Sequence, residues 1–238
     1  MTEEKEEKRP RKRLDPKKKA TILVAALVIV AAGGLGFWKW HETPGFCAAI
    51  CHNMDQYLAT YLEPQNAPGV DKYGNPVSNT NAMMSVLHRS NATTGKSEIL
   101  CLDCHHAVIG EQVSEGMYWA TGNYLDPLDE RVGGHLTAWW KEDSTRFCAN
   151  ENCHAYLLGE DGLVDRSKLE QSTWMMEFNP HSQYHEAQQM ECTACHKGHR
   201  ASVQNCTSCH EHENIALPDG WITATESKEL MEKTFVVD

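Results

Sequence analysis

The sequence predicts a mainly α protein with little regular secondary structure. One amino-terminal transmembrane helix leads into a body whose interior is filled by something other than side chains. Three observations carry this reading. Residues 20–38 form an apolar run without a charge. The body, residues 41–238, holds only 33 Leu, Ile, Val and Phe, roughly 17%. All ten cysteines fall into short pairs, and each pair is followed at once by histidine.

The first element is a basic tail, residues 1–19, with nine Lys/Arg against five Asp/Glu. Lys8, Arg9, Arg11, Lys12, Arg13, Lys17, Lys18 and Lys19 crowd against the apolar run. The second element is that run, taken as an anchor over 20–40. Nineteen helical residues reach about 28 Å, close to the thickness of a bilayer's hydrocarbon. Positive flanks stay in the cytoplasm, which places the remainder of the chain outside a cytoplasmic membrane as a single-pass protein. Trp38 and Trp40 fall where aromatic rings prefer the outer interface. A cleaved signal peptide has a shorter apolar region and a small-x-small cleavage site followed by a polar start, and neither is evident here.

The third element, residues 41–216, has a composition problem. With 12 basic and 28 acidic residues, 41–238 carries a net −16, which argues against nucleic acid as a partner. So little aliphatic surface cannot offset the entropy of ordering this many residues. Yet the chain's seven Trp, seven Tyr and ten Cys do not suit a disordered segment. The core has to be imported.

The cysteine pairs say what is imported. They are Cys47-AAI-Cys51-His52, Cys101-LD-Cys104-His105, Cys148-ANEN-Cys153-His154, Cys192-TA-Cys195-His196 and Cys206-TS-Cys209-His210. Three have the C-x-x-C-H spacing of c-type haem attachment, and two are stretched by one and two residues. With 13 histidines in 238 residues, chance placement after all five pairs has odds of roughly one in two million. The spacing follows from the chemistry. Two thiols form thioethers to the vinyl edge of one haem, and the next imidazole turns under the ring to the iron. Positions i, i+3 and i+4 share a helical face, so one turn suffices. Inserted residues can bulge outward without disturbing the Cys-His step. Zinc would need two half-sites converging on one ion. Disulfides between cysteines so close in sequence would constrain almost nothing. The body therefore reads as a multihaem cytochrome c domain with five covalent haem c groups and a haem-filled core.

Eight histidines remain for the far side of the irons. His88 and His135 each precede the next motif by thirteen residues, and His181 and His185 precede Cys192 by eleven and seven. The recurrence of an upstream His suggests one unit used several times. His199 follows His196 closely and suits a neighbouring haem. His88, His135, His185 and His199 stand ahead of His181, His106, His212 and His41. Met54, two residues after His52, is either a thioether ligand that raises the first haem's potential or a packing residue.

Anchor, short linker, then haem motifs with H-x-M at the first resemble the NapC/NirT/NrfH family of membrane-bound multihaem quinol dehydrogenases. The similarity extends over most of 17–199. Gly122-Asn-Tyr-Leu-Asp126-Pro-Leu-Asp129-Glu130-Arg131 resembles that family's stretch between second and third haems. His185-Glu-Ala-Gln-Gln-Met-Glu-Cys192-Thr-Ala-Cys195-His196-Lys-Gly resembles its fourth haem site. The resemblance implies that menaquinol or ubiquinol delivers electrons at the first haem and an extracytoplasmic reductase removes them in anaerobic respiration. It also makes Met54 an iron ligand. The chain departs from the pattern in its two expanded motifs and its fifth haem. It also has no lysine between Ala107 and Trp140, where the family's quinol pocket has one. Asp126, Asp129 and Glu130 are the candidate proton acceptors, with Lys96 just upstream. The last two motifs also resemble multihaem domains fused to flavin-dependent fumarate-type reductases, so the receiving enzyme is a nitrite, nitrate or fumarate-type reductase. A complex or homo-oligomer is expected.

Two alternatives stand beside quinol oxidation: an anchored electron carrier without its own quinol site, and a small multihaem terminal reductase. Tyr57–Asn81, rich in Pro, Gly and Asn, reads as an extended connection. Residues 217–238 read as a carboxy-terminal helix or tail. Strand signals are negligible.

Overall fold

The structure of the protein is a computed structural model that describes residues 15–50, 54–90, 98–106, 108–125, 130–131, 144–182, 190–210 and 215–235. The chain divides into two compact units, Met1–Glu42 and Thr43–Asp238. The protein is mainly helical, with a single amino-terminal apolar helix.

That helix, α1 (Pro16–His41), has 26 residues, about 39 Å of rise. Asp15 caps its start, the carboxylate accepting from Lys17 N at 2.9 Å, and Pro16 occupies the first turn where no N–H is needed. Lys39 and His41 lie in the last turn, where cations suit the helix dipole. None of its residues is buried, and apolar side chains point to every side. A helix apolar all round belongs in lipid or in a large core. Its length and composition suit a membrane span.

The second unit opens with α2 (Pro44–Ile50) and α3 (Asp55–Leu62). Tyr57–Asn81 is not the extended connection its composition suggests. After α3 comes a small antiparallel hairpin, β1 (Gly69–Val70) with β2 (Pro76–Val77), then a 3₁₀ turn at Thr80–Ala82 and α4 (Met84–Leu87). Its turn-forming residues close tight corners rather than lengthen a loop. The Asp71 carboxylate accepts from the amides of Tyr73 (2.8 Å) and Asn75 (2.9 Å), and Gly74 takes a φ of 80°. Thr60, Tyr61, Val77 and Thr80 are buried here.

Next come α5 (Cys101–Cys104), α6 (Ile109–Ala120), α7 (Arg166–Ser172) and α8 (Cys192–Cys195). Beyond them, β3 (Val203–Gln204) pairs in parallel with β4 (Ile222–Thr223), which leads into α9 (Ala224–Phe235). The carboxy-terminal segment is thereby built into the body. Ile222 N donates to Ser202 O at 3.0 Å, and Trp221 and Ile222 pack on a cluster of Val77, Ala82, Met83, Val86 and Ala201.

Two distant stretches are sewn together along their backbones. Met84 N donates to Lys197 O (2.9 Å), Ser85 N to Gly198 O (2.9 Å) and Ser202 N to Ala82 O (3.0 Å). Lys72 N donates to His199 O at 3.0 Å. The hairpin and α4 are thus fixed against the segment that follows the fourth motif. Among the described residues, eleven polar or charged side chains are buried against nine apolar ones.

Candidate haem-binding site

The cysteine motifs fold as local turns. Cys101 and Cys104 are the first and last residues of α5, and Cys192 and Cys195 those of α8. Each turn closes on its histidine: His105 N donates to Cys101 O at 2.8 Å and His196 N to Cys192 O at 2.9 Å. The fifth motif, on a 3₁₀ turn, closes likewise, with His210 N to Cys206 O at 3.0 Å. The expanded third motif makes the same closure, with His154 N to Cys148 O at 3.2 Å. Its two extra residues are taken up in an exposed bulge, where the Asn150 side chain accepts from Asn152 N (2.9 Å) and donates to Arg146 O (2.9 Å). In the first motif Cys47 lies on α2 and Met54 caps the start of α3. Cys51 and His52 lie outside the described residues.

Three of these histidines each face a second imidazole from a distant part of the chain. His105 faces His199 with ring centres 6.2 Å apart, His154 faces His88 at 6.0 Å, and His196 faces His181 at 6.3 Å. Two metal–nitrogen bonds of about 2 Å, plus the two half-rings, span about 6 Å. Three of the six Nδ1 atoms are occupied elsewhere. His88 Nδ1 lies 2.8 Å from Met84 O, His181 Nδ1 2.9 Å from Thr173 Oγ1, and His154 Nδ1 3.1 Å from the Tyr156 hydroxyl. A carbonyl can only accept, so His88 carries its proton on Nδ1 and leaves the Nε2 lone pair for a metal. Such second contacts orient metal-binding histidines.

Electrostatics point the same way. Burial holds His105, His154 and His181 below the usual histidine range, and takes His196 down to about 4 and His199 to about 3. These rings are neutral, the form that binds metal. His199 Nδ1 is buried without a hydrogen-bond partner among the described residues. Among those residues no group of three His, Cys, Asp or Glu converges on one point. None of the nine described cysteines is in a disulfide.

Neighbouring motifs also meet in chain order. The Cys47 and Cys101 thiols hydrogen-bond, as do those of Cys148 and Cys192. Cys104 feels Cys153, and Cys195 feels Cys206. Each motif thus lies near the next in chain order. First and second, and third and fourth, are in thiol contact; second and third, and fourth and fifth, are within electrostatic range.

The candidate quinol residues fare differently. Glu130 is held by two cations. Arg200 Nε and Nη2 donate to its two oxygens at 2.8 Å each, and Lys197 Nζ donates at 3.3 Å. Burial raises its pKa, but Arg200 and Lys197 outweigh that and hold the carboxylate below its ordinary range. A carboxylate so placed is a poor proton acceptor. Lys96, Asp126, Asp129, His135, His185 and His212 lie outside the described residues. Sequence reasoning missed Met84, Thr173 and Lys72 as neighbours of the histidines. Met84 meets His88 four residues on through a backbone carbonyl and Thr173 meets His181 eight residues on, contacts that residue type alone does not mark. Lys72 reaches His199 only through tertiary packing.

Thiol turns closed on histidine, with neutral imidazoles facing them across a metal-sized gap, fit haem c. The chain belongs to the c-type cytochromes. It is 46% identical over 215 residues to the Cytochrome c-type protein Cgr1 of Eggerthella lenta, an overlap that covers 90% of this chain and 91% of that one. No family model and no solved structure matches it. Membership makes the protein an electron-transfer cytochrome with covalently attached haem, and α1 is consistent with a membrane-bound form or with a signal sequence.

Proposed function

We propose that the chain is a membrane-anchored pentahaem cytochrome of the NapC/NirT/NrfH type, which carries electrons from membrane quinol to an extracytoplasmic reductase. The observation that carries this reading is the meeting of motifs in chain order, from Cys47–Cys101 through Cys195–Cys206. Such an arrangement supports a one-dimensional row with an entrance at the first motif and an exit at the fifth.

Haem c, when bound, supplies one-electron carriage between ferric and ferrous states. The rest is positioning by this chain. Ten cysteines, Cys47, Cys51, Cys101, Cys104, Cys148, Cys153, Cys192, Cys195, Cys206 and Cys209, form the attachments. His52, His105, His154, His196 and His210 ligate from the near side. His199, His88 and His181 complete the second, third and fourth sites. His88 belongs with the third motif rather than with the motif it precedes. Met54 serves the first site. At the second, third and fourth sites two imidazoles per iron would close it to small molecules, which suits transfer rather than bond chemistry.

Quinol docks beside the first motif, six residues after α1 ends. Its protons pass to carboxylates, Asp126 and Asp129 in preference to Glu130, with Lys96 beside them. The anchor keeps the basic tail in the cytoplasm and the haem domain outside. The receiving enzyme is a nitrite, nitrate or flavin-dependent fumarate-type reductase. Reduction of the purified holoprotein by a soluble menaquinol or ubiquinol analogue tests the entrance. Reduction by the analogue supports it; haems that stay oxidised under quinol while dithionite reduces them remove it. The neutralised Glu130 favours one second reading, an anchored carrier reduced by another protein.

A further inference from the structure

We propose that Tyr156 is a positioning residue for the third haem, holding the His154 ring at right angles to the His88 ring and so raising that haem's reduction potential. The inference rests on reading His88 and His154 as the axial ligands of that site.

The three facing imidazole pairs share a spacing and differ in angle. His105 and His199 lie 18° from parallel, and so do His196 and His181. His154 and His88 stand at 89°, with ring centres 6.0 Å apart. Both rings of this crossed pair are held from outside. His88 caps the end of α4, and its Nδ1 lies 2.8 Å from Met84 O, the carbonyl that its own backbone N–H reaches at 3.0 Å. Backbone therefore fixes that plane. His154 precedes the 3₁₀ turn Ala155–Leu157, and its Nδ1 lies 3.1 Å from the Tyr156 hydroxyl. The two rings also meet at 71° with centres 5.7 Å apart. The turn itself is anchored. Leu157 is buried, its N–H donates to His154 O at 3.1 Å, and its carbonyl accepts from Asp165 N at 2.8 Å. Nδ1 lies off the line from the metal through Nε2, so a partner on Nδ1 fixes rotation about that line.

The angle matters because of where low-spin ferric iron keeps its vacancy. One electron is missing from a pair of d orbitals that overlap the ligand π systems. Parallel imidazoles raise the same member of that pair, and the vacancy settles there, which stabilises the ferric form. Perpendicular imidazoles raise both members alike, so this stabilisation is lost and reduction becomes easier. An outer hydrogen bond that orients the ligand is thus a lever on the potential. The third motif is the middle one of the five, so the effect falls at the centre of the proposed row.

The experiment is low-temperature electron paramagnetic resonance of the full holoprotein, with a spectroelectrochemical titration alongside. The wild type should show a steep, single-featured low-spin signal at low field beside rhombic three-line signals from the parallel pairs. Tyr156 is 59% exposed, so Tyr156→Phe keeps the fold and the ring and loses only the hydroxyl. In that variant the steep signal should turn rhombic with haem content unchanged. One component's ferrous-to-ferric ratio at a given potential should fall about threefold, equivalent to about 28 mV for one electron. A wild type without a steep signal overturns the proposal, and so does a steep signal that Tyr156→Phe leaves unmoved. His88→Ala tests the premise separately. Loss of the steep signal supports the ligand pairing, whereas survival of every low-spin signal shows that the pairing itself is wrong. Loss of a rhombic signal instead keeps the pairing and overturns the perpendicular geometry.

Discussion

His181 shows what a single side chain contributes here. Thr173 Oγ1 donates to Asn179 Oδ1 at 2.8 Å, so its lone pair takes the His181 Nδ1 proton and leaves Nε2 bare. Replacing His181 by Ala should convert one low-spin haem to a high-spin form that binds carbon monoxide when reduced, with haem content unchanged. Thr173→Val should keep the ligand but loosen its orientation, which a broadened low-spin resonance would report. Glu130 poses a different problem, since its loss strands two cations that are 8% and 9% exposed at their side chains. Glu130→Gln should cost about 3 kcal/mol in denaturant unfolding. Its folded pKa is depressed, so the stabilisation is full above the unfolded carboxylate pKa. It is lost as pH falls through the folded value, and in Glu130→Gln that acid-side decline should be shallower.

At the level of elements, the motif turns are robust and the corners between them exacting. The third motif closes on His154 although its insert is longer, because Glu151 and Asn152 lie on an exposed bulge. Deleting both restores C-x-x-C-H spacing and should leave haem content per chain unchanged in a pyridine haemochrome assay. Gly220, before β4, is the opposite case. It takes a φ of 80°, and a Cβ there would run into the Asn79 carbonyl. Gly220→Ala should destabilise the body by about 2 kcal/mol, read as a lowered denaturation midpoint. These elements explain what local reading could and could not reach. The C-x-x-C-H turns were legible because one helical turn contains all their chemistry. The Tyr57–Asn81 segment was not, because Gly, Pro and Asn mark tight corners and loose connections equally well. Only the burial of Tyr61 and Thr80 separates the two.

On the proposed reading, the whole molecule is a row of haems with distinct ends. Replacing Cys206 and Cys209 together by Ala should remove one haem per chain. Reduction by a quinol analogue should persist, while transfer to the receiving reductase falls below a tenth of its original rate in a coupled assay. Equal transfer without the fifth haem would move the exit elsewhere. The scarcity of aliphatic residues was already visible in composition, and the buried set, richer in polar than in apolar side chains, is its structural counterpart.

By itself the sequence pointed to the attachment motifs, the histidines that adjoin them and one apolar amino-terminal helix. Each depends on residues within a few positions of one another, or on a continuous run. Tertiary structure alone decided which imidazole faces which. The thirteen-residue step from His88 to Cys101 suggested a local unit, yet α4 is hydrogen-bonded to the Lys197–Gly198 backbone and His88 meets His154 instead. Partners separated by tens of residues are set by how the chain folds back. No spacing rule records that path.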